Sequence, residues 1–289
     1  MDSFDLHGVP MKTKAGKSPK ESADKSQRMP AIFVGHGSPM NAIEDNGFSQ
    51  RWQQLGKSLP RPKAILCVSA HWETWGTLVT AMEQPRTIHD FGGFPPELYQ
   101  VQYPVIGSSW LAGETRKSIT SSKVSFDLDW GLDHGCWSVL QRMFPAADLP
   151  VVQLSLDYTR SAKEHFAIGR ELAGLRDQGI LIVGSGNMVH NLGRVEVQGD
   201  GLRDFNRPFG FAWAIEANDL FKKLINEERH EGLADYQALG DAVQMAVPTP
   251  EHFLPLLYIL ALKQKGEKIV YFNDKLLAGS ISMTSFIIG

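Results

Sequence analysis

Residues 31–39 read AIFVGHGSP, an apolar run that ends in glycine, histidine and a turn. Residues 65–72 (ILCVSAHW) and 180–191 (ILIVGSGNMVHN) repeat this arrangement. Continuous apolar runs of this length predict strands that are buried on both faces of a sheet. The ends of such strands meet in one crevice of an α/β sheet. The histidines at these ends are therefore expected to lie together: His36, His71 and His190.

The rest of the chain alternates strand-like runs with helix-like patterns. The clearest helix begins with the capping-box pattern Ser161-Ala162-Lys163-Glu164 and ends near Gly179. The predicted class is α/β: a single domain with a mostly parallel central sheet flanked by helices, and antiparallel strands near the C-terminus. The predicted strands lie at 31–34, 64–69, 77–82, 150–156, 180–184, 268–272 and 280–288, and the predicted helices at 161–179, 208–229 and 250–264.

A metal site is the chemistry that these histidines indicate. Neutral imidazole binds Fe, Zn, Cu and Ni, and three protein ligands leave positions open for a substrate. The strands before His36 and His71 start 33 residues apart, which is typical of one βαβ unit and predicts neighbouring strands. His252 lies near a predicted helix start, directly after Glu251. A site of two histidines and one carboxylate is common for Fe(II), so either residue is a candidate ligand, although adjacent residues point in different directions.

Composition restricts the class of protein and its partners. The chain has 289 residues, 43% hydrophobic and 21% charged, with a net charge of −3, which gives no electrostatic argument for binding nucleic acid. No apolar run reaches membrane-spanning length. The two cysteines form no CxxC pair, which favours a reducing cytoplasm. Residues 1–28 are polar and are predicted to form a flexible N-terminal extension, which leaves 29–289 as the domain.

Several other polar residues are candidates for the site. His134, in GLDHGCW, is either a pocket residue or a structural histidine oriented by an aspartate. The irregular loop 84–110 contains His89, a candidate for the pocket wall, and resembles a lid or binding wall. Ser38 and Ser185 lack a GxSxG nucleophile elbow. Three histidines are predicted to lie on the surface or in exposed stretches: His7, His165 and His230.

Six segments in order resemble a known family. They are GHGSPM (35–40), SAHW (69–72), HDFGGFP (89–95), GLDHGCW (131–137), GSGNMVHN (184–191) and PTPEHFLPLL (248–257). The sequence resembles the bacterial 4,5-DOPA dioxygenase extradiol family of class III ring-cleavage dioxygenases, which are related to the β subunit of protocatechuate 4,5-dioxygenase. The resemblance covers the chain from about Met29 to the C-terminus.

The resemblance implies an enzyme that opens the ring of a catechol such as L-DOPA with O2 to give a semialdehyde. It implies His36, His71 and His252 as metal ligands. His190 is implied as the acid/base residue, and as a fourth ligand in a resting zinc form. His134 is implied to contact the substrate, and the glutamate ligand of the protocatechuate enzyme keeps Glu251 as an alternative to His252. Phe91, Phe94 and Tyr99 on the loop are expected to exclude water from the reaction.

The expected cofactor is Fe(II), because Zn²⁺ has no redox chemistry, although Zn(II) is also expected to bind these ligands. The other expected partners are a catechol and O2, with no nucleic acid and no membrane, in a cytoplasmic monomer or homodimer. Two other functions compete. One is a zinc-dependent hydrolase that uses the same histidines to activate water, and the other is a binding protein without catalytic activity.

Overall fold

An eight-stranded sheet crosses the described part of the chain, which comprises residues 28–197, 199 and 205–289 of a computed structural model. Apart from Arg28, the predicted N-terminal extension and its His7 lie outside these residues. The sheet order is β4-β3-β5-β2-β6-β1-β10-β7, and β8 and β9 form a separate two-stranded ladder. The strands are β1 (Ala31–Gly35), β2 (Ala64–Thr74), β3 (Thr77–Thr80), β4 (Val124–Asp127), β5 (Val151–Asp157), β6 (Ile180–Gly186), β7 (Ile269–Phe272), β8 (Leu276–Leu277), β9 (Ile281–Ser282) and β10 (Ser285–Ile288).

The middle of the sheet is parallel and its C-terminal side is antiparallel. β1, β6, β2 and β5 run parallel to their neighbours in this group, whereas β10 runs antiparallel to both β1 and β7. On the other side, β3 runs antiparallel to β5 and pairs in parallel with β4. The predicted α/β class, with a mostly parallel sheet and antiparallel strands near the C-terminus, is confirmed.

Helices cover both faces of the sheet, which explains why the central strands are apolar at every position. On β1, Ala31 and Phe33 face one core cluster, and Ile32 and Val34 face the other. The helices are α1 (Gly47–Ser58), α2 (Pro96–Tyr99), α3 (Ser109–Ser118), α4 (His134–Met143), α5 (Ala162–Glu171), α6 (Ala173–Asp177), α7 (Ala212–Asn226), α8 (His230–Leu233), α9 (Asp241–Ala246) and α10 (Leu254–Ala261). The first cluster includes side chains of α5, α7 and α10, and the second includes those of α1 and α4.

The observed elements differ from the predicted ones in several places. The predicted helix 161–179 divides into α5 and α6, and the predicted helix 250–264 starts only at Leu254, with Pro255 in its first turn, where proline removes no helical hydrogen bond. The sequence patterns missed the strands β4 and β8 and the helices α1, α2, α3, α4, α8 and α9. None of the helices among the described residues is both long and apolar enough to cross a membrane.

The prediction that β1 and β2 are neighbours in the sheet is wrong, because β6 lies between them. Strands that follow one another in sequence need not pair, and the spacing of residues does not reveal an intervening strand that comes from later in the chain. β2 also extends beyond the predicted end, to Thr74, with an irregularity between Val68 and Glu73. His71 therefore lies within the strand at this irregularity and not in the loop after it.

Candidate metal centre

Five histidines line one cavity of about 330 Å³ at the carboxyl ends of the central strands. In α/β sheets this edge is where ligands bind. The histidines come from five separate places in the chain: His36 follows β1, His71 lies in β2, His134 is the first residue of α4, His190 follows β6, and His252 precedes α10.

The imidazole rings of three predicted ligands lie at similar distances from one another. The ring centroids are 5.1 Å apart for His36 and His71, 5.4 Å for His36 and His252, and 5.0 Å for His71 and His252. His134 lies 3.9 Å from His71, and His190 stacks on His252 at 3.5 Å. The structure thus brings together all five histidines that the sequence assigned to the site.

Hydrogen bonds fix the orientation of the His36 ring. Its Nδ1 lies 3.1 Å from the hydroxyl of Ser185, and that hydroxyl donates its proton to the carbonyl of Gly135 at 2.6 Å. The hydroxyl can therefore only accept from His36, so Nδ1 carries the ring proton and Nε2 has a free lone pair. This use of Ser185 explains its position without any nucleophilic role.

His252 is oriented in the same way by Glu251. Its Nδ1 donates to Glu251 Oε1 at 3.1 Å, and the Thr249 hydroxyl donates to the same oxygen at 2.8 Å. A carboxylate oxygen only accepts hydrogen bonds, so Nε2 of His252 is again free. In this structure Glu251 is the hydrogen-bond partner that orients His252.

A second carboxylate, that of Asp90, faces two histidines. Its Oδ2 accepts a hydrogen bond from Nδ1 of His134 at 2.9 Å and lies 3.3 Å from Nδ1 of His71. Asp90 lies in the segment HDFGGFP (89–95), where the sequence pattern alone predicted no role for it. A carboxylate beside a histidine in a pocket motif is the signal that could have indicated this role, since metal-binding histidines usually donate their second N–H to such a group.

These donors fit a metal ion. Nε2 of His36 and Nε2 of His71 lie 3.2 Å apart, and both carry lone pairs if their Nδ1 atoms carry the protons. Two nitrogens on one tetrahedral zinc, each about 2.0–2.1 Å from it, lie about 3.4 Å apart. The candidate ligand atoms of His36, His71 and His134 lie within 4.8 Å of one another, as do those of His190, Glu251 and His252.

The electrostatics of the cavity favour neutral imidazoles. Burial lowers the pKa of His36 and of His71 well below the ordinary value, and repulsion from the neighbouring histidines lowers it further. Burial and then His252 lower the pKa of His190 to about 3. Burial acts to raise the pKa of Glu251, but its hydrogen bonds, first that from His252, lower it to about 2. Neutral nitrogen donors beside an ionised carboxylate suit a cation.

The remaining wall of the cavity is largely apolar. Phe91 contacts both Phe94 and His134, with ring centroids 5.4 and 5.5 Å apart. Tyr99 is 38% exposed and packs on the far side of Phe91, and His89 also packs against Phe91 while its Nε2 bonds the Val101 carbonyl. Other residues that line the cavity include Gly37, Ser38, Pro39, Leu192, Phe205 and Ile281.

Two predictions about other histidines are wrong. His165, expected at the surface, is fully buried, with Nδ1 3.0 Å from the Tyr258 hydroxyl and Nε2 3.2 Å from the Asp157 carbonyl. His230, expected in an exposed stretch, is 9% exposed and bonds the Ile225 carbonyl. The partners are two backbone carbonyls and a hydroxyl 93 residues away, and the polarity of the neighbouring sequence reveals neither kind.

Comparison with known proteins agrees with this geometry. A family model described as the catalytic LigB subunit of aromatic ring-opening dioxygenase matches residues 30–278. The chain belongs to this family. The LigB match spans every strand that delivers a histidine to the cavity, and it identifies the protein as an extradiol, ring-opening dioxygenase.

Similar proteins extend the comparison beyond the LigB match. The 4,5-DOPA dioxygenase extradiol of Escherichia coli strain K12 is 46% identical over 283 residues, which cover 93% of this chain and 98% of that protein. The protein of the same name from Beta vulgaris is 34% identical over 262 residues, covering 88% and 94%. A crystal structure of an uncharacterized protein from Escherichia coli K12 has a TM-score of 0.78 and 42% identity, covering 91% of this chain and 100% of the other.

Proposed function

We propose that residues 29–289 form a metal-dependent extradiol dioxygenase that opens the ring of a catechol such as L-DOPA with O2 and yields a semialdehyde. The arrangement of His36, His71 and His252 carries this proposal. The three rings lie 5.0–5.4 Å apart, and each turns its Nδ1 toward an oxygen atom of the protein. Such partners fix a ligand's orientation and raise its basicity.

The ligands proposed are His36, His71 and His252, with Glu251 as the partner of His252. Fe(II) is the metal proposed for turnover, since it supplies the redox chemistry that O2 activation requires and that zinc lacks. Zn(II) fits the same nitrogen donors and is proposed as an ion that occupies the site without supporting ring opening.

His190 and His134 are proposed to act on the substrate from beside two different ligands, His252 and His71. His190 lines the cavity, and its ring makes no hydrogen bond to another described residue, which leaves its nitrogens available to a phenolic O–H. It is proposed to take that proton and to return it after oxygen attack, as a general base and acid. His134, held by Asp90, is proposed to bind the substrate hydroxyl or the ring-opening product through Nε2.

Phe91 and Phe94 are proposed to exclude water from the reacting ring, because they cover the cavity with apolar surface. The proposed setting is the cytoplasm, where the two buried thiols, Cys67 and Cys136, remain reduced. Either a monomer or a homodimer is compatible with this proposal, because all five histidines come from one chain.

The test is to reconstitute the anaerobically purified protein with Fe(II) and, separately, with Zn(II), and then to supply L-DOPA and a panel of simple catechols. The proposal expects the iron form alone to give a yellow product heavier than the catechol by one O2. If both forms are inert toward every catechol and the zinc form hydrolyses an ester or amide, the protein is a zinc-dependent hydrolase and the proposed dioxygenase function is wrong.

A further inference from the structure

Asp90 makes three contacts with two histidines, and the contacts lie on both of its oxygens. Oδ1 accepts the backbone N–H of His134 at 2.8 Å, and Oδ2 accepts Nδ1–H of the same residue at 2.9 Å. Oδ2 also lies 3.3 Å from Nδ1 of His71. The carboxylate thus joins a proposed metal ligand to the histidine proposed to contact the substrate.

The chemistry of a carboxylate determines the tautomer of the His134 ring and biases that of the His71 ring. Ionised carboxylate oxygens have only lone pairs to offer, so a nitrogen that faces them presents its N–H. His134 therefore carries its ring proton on Nδ1, and the negative charge 3.3 Å from Nδ1 of His71 favours a proton there as well. Each then has an unprotonated Nε2, and that of His71 faces Nε2 of His36 at 3.2 Å.

Asp90 also helps to place the cavity wall, because it is the neighbour of Phe91 in the chain. It directly precedes Phe91, whose ring lies 5.5 Å from that of His134 and 5.4 Å from that of Phe94. The contact with the backbone of His134 ties this loop to the start of α4, where Asp133 is the N-cap. A change at residue 90 therefore acts on the metal ligand, the substrate contact and the aromatic wall together.

We infer that Asp90 is a positioning residue: its carboxylate sets the orientation and tautomer of His134 by hydrogen bonds and favours the Nδ1–H tautomer of His71 by its charge. The inference rests on the proposed function, since it assumes that His71 binds metal and that His134 meets the substrate. It assigns Asp90 neither metal nor substrate contact. Its effect reaches both through the two imidazoles.

Asparagine at this position cannot keep all three contacts. If its amide oxygen replaces Oδ2, its NH2 group meets the backbone N–H of His134. If the oxygen replaces Oδ1, the NH2 group meets the Nδ1–H groups of both rings. Either orientation places two donors against each other, whereas glutamate retains both acceptor oxygens and lengthens the side chain by one methylene group.

The experiment measures Zn(II) affinity by competition with a chromophoric chelator, and then KM and kcat for a catechol at saturating Fe(II). The variants are Asp90→Asn, Asp90→Glu and Asp129→Asn, the last a control that removes the same charge from an exposed residue. We expect Asp90→Asn to weaken zinc binding about 10–100-fold and to lower kcat/KM further at full metal loading. Asp90→Glu should recover part of both losses, and Asp129→Asn should match the wild type.

A second measurement needs no variant. Nitrogen-15 spectra of the metal-free wild-type protein distinguish Nδ1–H from Nε2–H imidazole, and the inference expects Nδ1–H on both His71 and His134. Protons on Nε2 of these rings would overturn it, as would an Asp90→Asn protein with wild-type zinc affinity and kinetics. A wild-type protein that binds no metal and consumes no O2 would instead contradict the proposed function.

Discussion

The ring of His190 lies flat against the ring of His252, with centroids 3.5 Å apart and planes inclined by only 7°. The lone pair of an imidazole nitrogen lies in the ring plane. In two stacked rings these lone pairs run side by side and do not converge on one point. This arrangement suits one ring as a ligand and the other as a neighbour that handles protons, and it does not favour His190 as a fourth ligand.

His190→Ala is accordingly expected to retain metal and lose turnover. A positioned acid/base residue contributes typically about 10²–10⁴-fold to rate, so kcat should fall by that order. Metal content measured by atomic absorption beside kcat separates the two effects. Activity that falls only in proportion to lost metal would assign His190 to the ligand set instead.

The roles of Glu251 and His252 can be separated by one substitution at each. His252→Ala is expected to abolish high-affinity metal binding, because it removes a nitrogen donor. Glu251→Gln is expected to weaken binding about 10–100-fold, because the ring of His252 loses a charged partner but keeps its own Nε2. The measurement is a metal titration of both proteins. The opposite ranking, with Glu251→Gln the more severe, would make Glu251 the ligand.

Gly186 is required by the close approach of β6 to the segment that contains His252. A Cβ atom there would lie 2.2 Å from the carbonyl oxygen of His252. Gly186→Ala should therefore displace this segment, reduce the free energy of unfolding by about 1–3 kcal/mol and weaken metal binding.

Gly174→Ala is the matched control for Gly186→Ala. Gly174 lies in α6, and no atom other than those of its chain neighbours and of the helix's own backbone lies within 4 Å of the Cβ position. Alanine there should be neutral or stabilise by up to about 1 kcal/mol. Urea unfolding measures both variants. Equal stability and equal metal affinity of the two would show that the chain relaxes around Gly186 without cost.

The buried His165 predicts a pH dependence of stability that is separate from catalysis. Burial, the largest cause, lowers its pKa from 6.5 to about 4. The unfolded chain therefore binds a proton between about pH 6.5 and pH 4 that the folded chain does not, so stability falls as the pH drops through this window. Above about pH 6.5 His165 is neutral in both the folded and the unfolded chain, so it no longer changes the stability. The full difference of about 2.5 pH units corresponds to about 3 kcal/mol.

His165→Gln tests this origin. The glutamine amide can donate to the Asp157 carbonyl and accept from the Tyr258 hydroxyl, as the imidazole does, but it does not titrate. Urea unfolding of wild type and variant across this pH range should give a flatter profile for the variant. If stability fell with pH in the same way in both proteins, the acid sensitivity would arise from a group other than His165.

The sequence was sufficient for the fold class and for the gathering of the histidines. The apolar runs at β1, β2 and β6 predicted doubly buried strands, and their shared carboxyl edge predicted one crevice. It was insufficient for strand order, because β6 separates β1 from β2 through contacts between residues far apart in the chain.

The partners of the histidines show the same limit at the level of single residues. Ser185 contacts the ring of His36 across 149 residues of sequence, and Asp90 contacts the ring of His134 across 44. No local pattern encodes such a pairing. Glu251 is the exception, since it is adjacent to His252 and was recognised from the sequence as a competing ligand.

O2 uptake by the protein loaded with Fe(II), measured against catechol consumed, tests the central claim most directly. The account predicts one O2 consumed for each ring opened, with no uptake by the zinc form and almost none by His190→Ala. Catechol loss without O2 uptake, or no reaction of any catechol with iron verifiably bound, would contradict it.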